Sequence, residues 1–433
     1  MLQIDHVYEF FYSTIFKDFE SQHCHGGVIN PNHSSVINPN QITSSDIAVF
    51  TPGLHTTKKI FFYDQEPLLE NLSENYLEVF DYPSKYTAAE LINLNNTNSL
   101  PYNYPLANQE TINFLINNPQ CLYKQKTIVT SEKSALVDSY AIKYNAKLLY
   151  YFFHGFAALD WYRGFYALNY NKQVIKDYTY DYITFNRLVS NDRSYRCYFV
   201  SKLAEELLLE HGLISFGLET EQATWQEEIV DANTKLSSKA LDHIKLHLPS
   251  TPLIIDSEHV LGSASASIPR TVLGYWPFND GPKNVDALWH IVTETVFYYD
   301  KLHLTEKSFK PIVSKQPFML LGAVGNLAYL KSYGFKTFEG IIDESYDTIQ
   351  DNDLRTEAVV AQIAWYCALT AEEKRSVIEA IAPIVEYNFH HFYGEFKHII
   401  TRELLDNCKT LFKDIGYDDN AVAYDDIYKV LTT

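Results

Sequence analysis

The chain has 433 residues, 46% of them hydrophobic and 21% charged, which excludes a largely disordered protein and suffices for two domains of about 150 to 200 residues each. Its formal net charge of −19 at pH 7 counts against a protein that binds nucleic acid through charge alone. Five scattered cysteines, with neither a signal pattern nor an apolar run of about 18 residues, predict a cytoplasmic protein with reduced thiols and no membrane span.

Four short apolar runs in the first 178 residues predict the strands of a first sheet. Each is rich in β-branched, aromatic or leucine residues and is followed by polar or turn-forming residues, as buried strands of an α/β protein are. The runs cover residues 46–50, 59–63, 126–130 and 146–153.

Two carboxylates directly follow the second of these runs. Asp64 and Glu66 stand before and after Gln65, and Pro67 follows. The carboxyl end of a strand is where α/β proteins place catalytic groups, so both side chains are candidate general bases. The alternative is that Asp64 caps a helix with Pro67 in its first turn.

The fourth run delivers a histidine, followed shortly by a carboxylate and a guanidinium. His154 beside Gly155 is placed to bind or deprotonate an acceptor hydroxyl, with Arg163 as a second acceptor-binding residue and Asp160 as a further candidate base. A lone histidine at a strand end is also common as a structural residue.

A second sheet is predicted to begin after a connection at residues 172–178. The apolar strand 181–185 leads into a polar loop and then into an amphipathic helix that extends to Leu209. Three arginines lie at this junction, where guanidinium groups are suited to phosphate, although ordinary surface arginines would give the same pattern. They are Arg187, Arg193 and Arg196.

The strand predicted at 286–292 ends beside Glu294, which we expect at a carboxyl edge facing a cleft, or else as a helix cap. A short helix then follows Thr305, and a buried strand follows at 316–322. A second helix at 325–333 stops before Gly334, and a last short strand is predicted at 335–338.

The helix that begins near Thr305 offers backbone amides and a lysine to an anion. Glu306 is suited to accept a hydrogen bond from a sugar hydroxyl while Lys307 pairs with a phosphate, and Lys310 lies one turn further along. A capped helix with a solvated charge pair is the alternative. These four residues are candidate donor-binding residues, together with Glu294 and the three arginines.

The order of Glu294, the Thr305-Glu306-Lys307 tripeptide, a short helix and a Pro-Phe strand resembles the donor-binding segment of fucosyltransferase-like glycosyltransferases. The strings TEKSFKP, GFKTF, DESYD and DQEP further resemble glycosyltransferases encoded by tailed phages. The resemblance implies that Glu306 binds the nucleotide ribose and Lys307 the diphosphate. Pro317-Phe318-Met319 stands where the fucosyltransferases have Pro-Val, so no particular sugar is implied.

The arginine loop resembles the same family. A Ser-Asn pair precedes Arg196, with Phe199 three and Leu203 seven residues beyond it. By this correspondence Arg196 binds the diphosphate, whereas the roles of Arg187 and Arg193 do not transfer.

The resemblance implies an α/β fold with two facing Rossmann-like domains, the GT-B type of glycosyltransferase architecture. Residues 1–178 would form the acceptor-binding domain and residues 179–385 the nucleotide-sugar-binding domain. The helices predicted in 386–433 are placed to cross back to the first domain, although terminal helices packed elsewhere would show the same pattern.

The predicted function is sugar transfer from a nucleotide sugar to an acceptor hydroxyl. Inversion is implied by the resemblance, and no metal or other cofactor is required because arginine, lysine and helix amides can offset the diphosphate charge. The isolated His23-Cys24-His25 run lacks a second ligand cluster, so no metal site is predicted.

The acceptor suggested by the phage enzymes is a hydroxymethylated base in double-stranded DNA. A surface polysaccharide or a small acceptor suits the acidic chain better. A nucleotide-sugar-binding module without catalysis and a structural virion protein are the alternatives from other classes.

Overall fold

The structure is a computed structural model, and it groups the chain into two compact units, residues 1–156 with 398–433, and residues 157–397. Within the described residues, no helix combines the length and hydrophobicity that a membrane span requires. The described residues are 47–50, 60–63, 127–130, 133–135, 138, 142, 147–162, 165–172, 178–186, 189, 193–216, 237–247, 287–298, 301–415 and 423–432.

The first unit contains a parallel sheet whose described strands follow the order β1-β2-β3-β4. All four strands were predicted, and the structure confirms them. β2 ends one residue before Asp64, and both Asp64 and Glu66 lie outside the described residues. The strands are β1 (Ile47–Phe50), β2 (Ile60–Tyr63), β3 (Thr127–Thr130) and β4 (Lys147–Tyr150), and a two-residue extended segment lies at Lys133–Ser134.

The predicted strand 146–153 is shorter than expected. Helix α1 (Phe153–Trp161) begins three residues after β4 ends, because the carbonyl of Phe152 accepts hydrogen bonds from the amides of Gly155 and Phe156 and turns the chain. His154 therefore lies buried in the first helical turn and not at a strand end.

The second unit alternates strands and helices. Its elements are α2 (Phe165–Asn169), β5 (Tyr180–Asn186), α3 (Tyr195–Glu205), β6 (Gly212–Phe216), α4 (Ser238–His247), β7 (Ala287–Thr293), α5 (Glu306–Val313), β8 (Phe318–Leu321), α6 (Asn326–Ser332), α7 (Asn352–Cys367) and α8 (Ala371–His391). Short 3-10 turns occupy Leu209–His211 and Ser345–Thr348, and a two-residue extended segment lies at Lys301–Leu302.

The described strands of this unit form a parallel sheet in the order β8-β7-β5-β6. Every residue of β7 is buried, as a central strand covered on both faces must be. Gly212 opens β6 directly beneath the ring of Tyr182, where a Cβ atom would overlap the ring. The sequence predictions for β5, β7 and β8 are confirmed to within two residues at each end.

The strand predicted at 335–338 is wrong. The side-chain amide of Asn388 in α8 accepts a hydrogen bond from the Lys336 amide at 2.8 Å and donates one to the Lys336 carbonyl at 2.8 Å. A side chain thus satisfies the backbone groups that a neighbouring strand would otherwise bond. Phe335 still points inward and packs against Phe309 and Phe396.

The chain is helical from Ala371 to Ile415, because α8 continues through a π-helical turn (Phe392–Phe396) into α9 (Lys397–Ile415). The last described helix is α10 (Tyr424–Thr432). Within the first unit, the side-chain amide of Asn407 donates to the Tyr150 carbonyl at 2.6 Å, which attaches α9 to the end of β4.

Candidate functional site

The carboxyl ends of β5, β7 and β8 share one edge of the second sheet, because the strands are parallel. The Thr293 hydroxyl donates to the carbonyl of Phe185 and to the side chain of Asn186, both at 3.0 Å. These bonds join the ends of β5 and β7. Helix α5 begins at this edge, so its positive N-terminal pole lies where ligands bind in such folds.

Glu294 organises the start of α5. Its carboxylate is fully buried and accepts the Thr305 amide at 2.9 Å, the Thr305 hydroxyl at 2.8 Å, the Ser308 hydroxyl at 2.5 Å and the Thr295 amide at 2.9 Å. Four donors occupy the acceptor positions of the two oxygens. Glu294 therefore fixes the protein's own backbone, and the direct donor contact predicted for it is not available in this arrangement.

Thr305 is the N-cap of α5, as the sequence predicted. Its backbone is extended, and its hydroxyl accepts the Lys307 amide at 3.3 Å while donating to Glu294. One hydroxyl thus satisfies an amide of the first turn and links the turn to a buried carboxylate. The start of α5 is held in place from two directions.

Lys307 carries the accessible cation of this helix start. Its side chain is 36% exposed, and its ammonium lies 2.7 Å from Glu306 Oε1, with longer contacts of 3.2 Å to Thr295 Oγ1 and 3.4 Å to Thr305 Oγ1. An ammonium has three donors, so a phosphate oxygen would replace one of the two long contacts. The Glu306 carboxylate, more buried than Lys307, remains beside it as a hydrogen-bond acceptor.

Arg196 is only 2% exposed and faces the main chain. Its guanidinium donates to the carbonyls of Thr293 at 2.8 Å and Glu294 at 3.1 Å, and its Nε donates to the Tyr195 hydroxyl at 3.4 Å. The predicted direct contact with a diphosphate therefore needs correction, because these donors hold the backbone immediately after β7. Arg196 and Lys307 nevertheless both contact the 293–295 segment.

Tyr195 also holds the backbone that follows β7. Its hydroxyl donates to the Glu294 carbonyl, and its ring stacks on Phe297 with the centroids 4.0 Å apart. Burial raises the pKa of Tyr195 to about 12, so the hydroxyl stays protonated and acts as a donor.

The outer rim of the edge is aromatic and polar. Tyr298 is 37% exposed, and its hydroxyl lies 2.8 Å from the Ser194 hydroxyl. Arg193 precedes Ser194 and is half-buried. An exposed phenol beside a hydroxyl offers a surface on which a base or sugar ring can stack.

Lys310, predicted as a donor-binding residue, lies with its ammonium 3.8 Å from the centroid of the Phe185 ring. This is a cation–π contact at the end of β5. The adjacent His290 is buried, and its pKa is lowered to about 3 by burial first and by Lys310 second.

Arg355 was not identified from the sequence, because it lies inside a helical pattern without a motif. It is 2% exposed and donates to the carbonyls of Phe297 at 2.8 Å, Gly322 at 3.0 Å and Ile349 at 2.7 Å. Its guanidinium also lies over the Phe297 ring at 4.3 Å. Arg355 therefore joins the segments that follow β7 and β8.

The structure brings six of the predicted site residues together, describes Arg193 on the rim and His154 buried in α1, and leaves the side chains of five others undescribed. The donor-binding candidates at the edge of the second sheet are Arg196, Glu294, Thr305, Glu306, Lys307 and Lys310. Those whose side chains lie outside the described residues are Asp64, Glu66, Asp160, Arg163 and Arg187.

Comparisons of the chain with protein families, with characterised proteins and with solved structures gave no match.

Proposed function

We propose that the chain is a nucleotide-sugar-dependent glycosyltransferase of GT-B type whose donor diphosphate binds at Lys307. The observation that supports this most is a half-exposed ammonium at the N-terminus of α5, on the carboxyl edge of a parallel sheet. The positive charge of Lys307 and the dipole of α5 both attract an anion there. Glu306 is the partner for a ribose hydroxyl.

Arg196 has a positioning role in this proposal. Its bonds to the Thr293 and Glu294 carbonyls fix the turn after β7, and that turn supplies both Thr295, which contacts Lys307, and the Glu294 carboxylate. Replacement of Arg196 would therefore affect donor binding through the placement of Lys307.

The reaction is an in-line displacement at the anomeric carbon. The acceptor oxygen forms the new C–O bond while the bond to the nucleoside diphosphate breaks, and the leaving diphosphate keeps the electron pair. A carboxylate of the N-terminal region, Asp64 or Glu66 with Asp160 as the next choice, takes the hydroxyl proton. Lys307 offsets the charge that develops on the diphosphate, and the product has inverted stereochemistry.

The proposed acceptor is a hydroxymethylated base in double-stranded DNA. The phage-type motifs support it, and the net charge of −19 favours instead a polysaccharide or small acceptor. Binding of duplex DNA that weakens steeply with rising salt would support the DNA acceptor. If duplex DNA does not bind even at low salt, a polysaccharide or a small acceptor remains.

Release of nucleoside diphosphate from a panel of sugar nucleotides tests the activity. We expect slow release by the wild-type protein, a loss of about 100-fold in Lys307→Ala, and no change in Lys331→Ala. Lys331 is a matched control because it is exposed and pairs with Glu339 at 2.7 Å, away from the edge. Equal rates in Lys307→Ala would contradict the assigned role.

The same experiment separates an enzyme from a binding module. A module would bind one of the sugar nucleotides in a Lys307-dependent manner without releasing diphosphate. A structural virion protein would bind none of them and would copurify with particles.

A further inference from the structure

Two histidines and a carboxylate meet where α4 faces the 3-10 turn before β6. Helix α4 carries His243 and His247, which are four residues apart and thus on one helix face. The 3-10 turn before β6 brings Glu210 to them, with Oε2 3.7 Å from His247 Nε2. One ligand atom from each of the three residues lies within 4.8 Å of the other two.

His243 has the surroundings of a metal ligand. It is 8% exposed. Its Nδ1 is buried and has no hydrogen-bond partner in the described part of the chain. A buried imidazole nitrogen without a hydrogen-bond partner is the kind of atom that ligates a metal ion. Leaving such an atom unsatisfied costs about 1 to 3 kcal/mol.

We propose that Glu210, His243 and His247 bind a divalent transition metal ion of the zinc type. Imidazole nitrogen together with carboxylate oxygen is a donor set that suits this ion, with water as a fourth ligand. Ligands about 2.0 to 2.2 Å from zinc stand about 3.3 to 3.6 Å apart in a tetrahedron. The 3.7 Å between His247 and Glu210 is close to that distance, and the His243 ligand atom lies within 4.8 Å of both.

The second carboxylate oxygen of Glu210 faces another histidine. His211 Nε2 lies 4.0 Å from the other oxygen of Glu210 and is placed to hold the carboxylate.

A second group, Asp181 with His211 and Cys367, is less suited to a metal. The Asp181 carboxylate is already bonded to Lys374 at 2.7 Å and to His211 at 3.0 Å. Burial raises the pKa of the Cys367 thiol to about 12, so no thiolate is present at neutral pH. The Lys374 ammonium occupies the position beside Asp181 that a metal ion would take.

The proposed ion would have a structural role. It would join α4 to the turn that connects α3 with β6, at the amino end of β6. Lys307 lies at the opposite, carboxyl edge of the sheet, so this inference is independent of the proposed sugar transfer. Loss of the ion should lower stability without requiring any change in donor contacts.

Calorimetric titration of the full-length, EDTA-treated and dialysed protein with zinc chloride tests the site. We expect one equivalent to bind, and affinity to fall about tenfold or more in His243→Ala and in His247→Ala, since even a partner behind a ligand contributes that much. His390→Ala should bind as the wild type does. His390 is a matched control because it is exposed and faces Glu386 at 2.9 Å, four residues earlier on α8.

Two further measurements keep the result interpretable. Far-UV circular dichroism establishes that the variants are folded, and zinc should raise the Tm of the wild type but not that of His247→Ala. The variant with His23 and His25 both replaced by alanine tests the other histidine pair. Absence of zinc binding, wild-type affinity in both His243→Ala and His247→Ala, or loss of binding only in the His23/His25 variant would overturn the proposal.

Discussion

Glu294 and Thr305 are joined by two hydrogen bonds, one from the backbone amide of Thr305 at 2.9 Å and one from its hydroxyl at 2.8 Å. The residue that follows β7 thereby fixes the N-cap of α5. Because Lys307 follows two residues later and contacts Thr305 and Thr295, this pair of bonds determines where the exposed ammonium lies.

Glu294→Gln should lower the free energy of unfolding by about 1 to 3 kcal/mol. One carboxylate oxygen receives the Thr305 amide and the other receives the Thr295 amide, so the glutamine NH₂ faces a backbone donor in either orientation. Urea denaturation measures the change. Glu339→Gln, at an exposed carboxylate, is the control, and equal stability of the two variants would show that the four-donor arrangement is not formed.

Replacement of Arg196 and replacement of Lys307 should have different effects on the free energy of unfolding. Arg196→Lys should lower the free energy of unfolding by about 1 to 3 kcal/mol, because a single ammonium cannot reproduce the bonds to two carbonyls and a phenol. Lys307→Ala should change it by less than about 0.5 kcal/mol, because its ion pair is partly exposed. Denaturation of both variants checks this. An Arg196→Lys protein as stable as the wild type would contradict the buried bonds of the guanidinium.

Arg355→Lys should be strongly destabilising, by about 3 kcal/mol or more. The guanidinium is buried and bonds the carbonyls of Phe297, Gly322 and Ile349, which come from three separate segments. Thermal unfolding is the measurement. A Tm within a degree or two of the wild-type value would mean that those segments hold their places without the arginine.

His290 should make the protein sensitive to acid. Its pKa is about 3 in the folded protein and about 6.5 when unfolded, so the unfolded state binds more protons between these values and stability falls as pH drops below 6.5. At pH 4.5 the wild type should have lost about 2.5 kcal/mol more than His290→Leu. Urea denaturation at pH 7 and pH 4.5 gives the difference. Parallel losses in both proteins would contradict the burial of a neutral ring.

The sequence was informative about local structure. The apolar runs at 59–63 and 316–322 predicted β2 and β8, and Thr305 was correctly predicted as the cap of α5. These features depend on residues within a few positions of one another. The strand predicted at 335–338 failed because its backbone bonds a side chain 52 residues away.

The sequence was less informative about the direction of side chains. Arg196 and Glu294 were expected to face a ligand, yet the carbonyls that Arg196 bonds lie 97 and 98 residues along the chain. A motif places a charged residue at a strand end but does not distinguish a group that faces the cleft from one that supports it. Arg355 shows the same limit, since nothing local marks it as buried.

Equilibrium binding of a nucleoside diphosphate is the most direct test of the central claim. In calorimetry on the wild type, Lys307→Ala and Lys331→Ala, we expect the first variant to bind at least about tenfold more weakly, as loss of a charge-assisted bond implies, and the second to match the wild type. Affinity that is equal in all three proteins, or absent from the wild type, would contradict a diphosphate site at the start of α5.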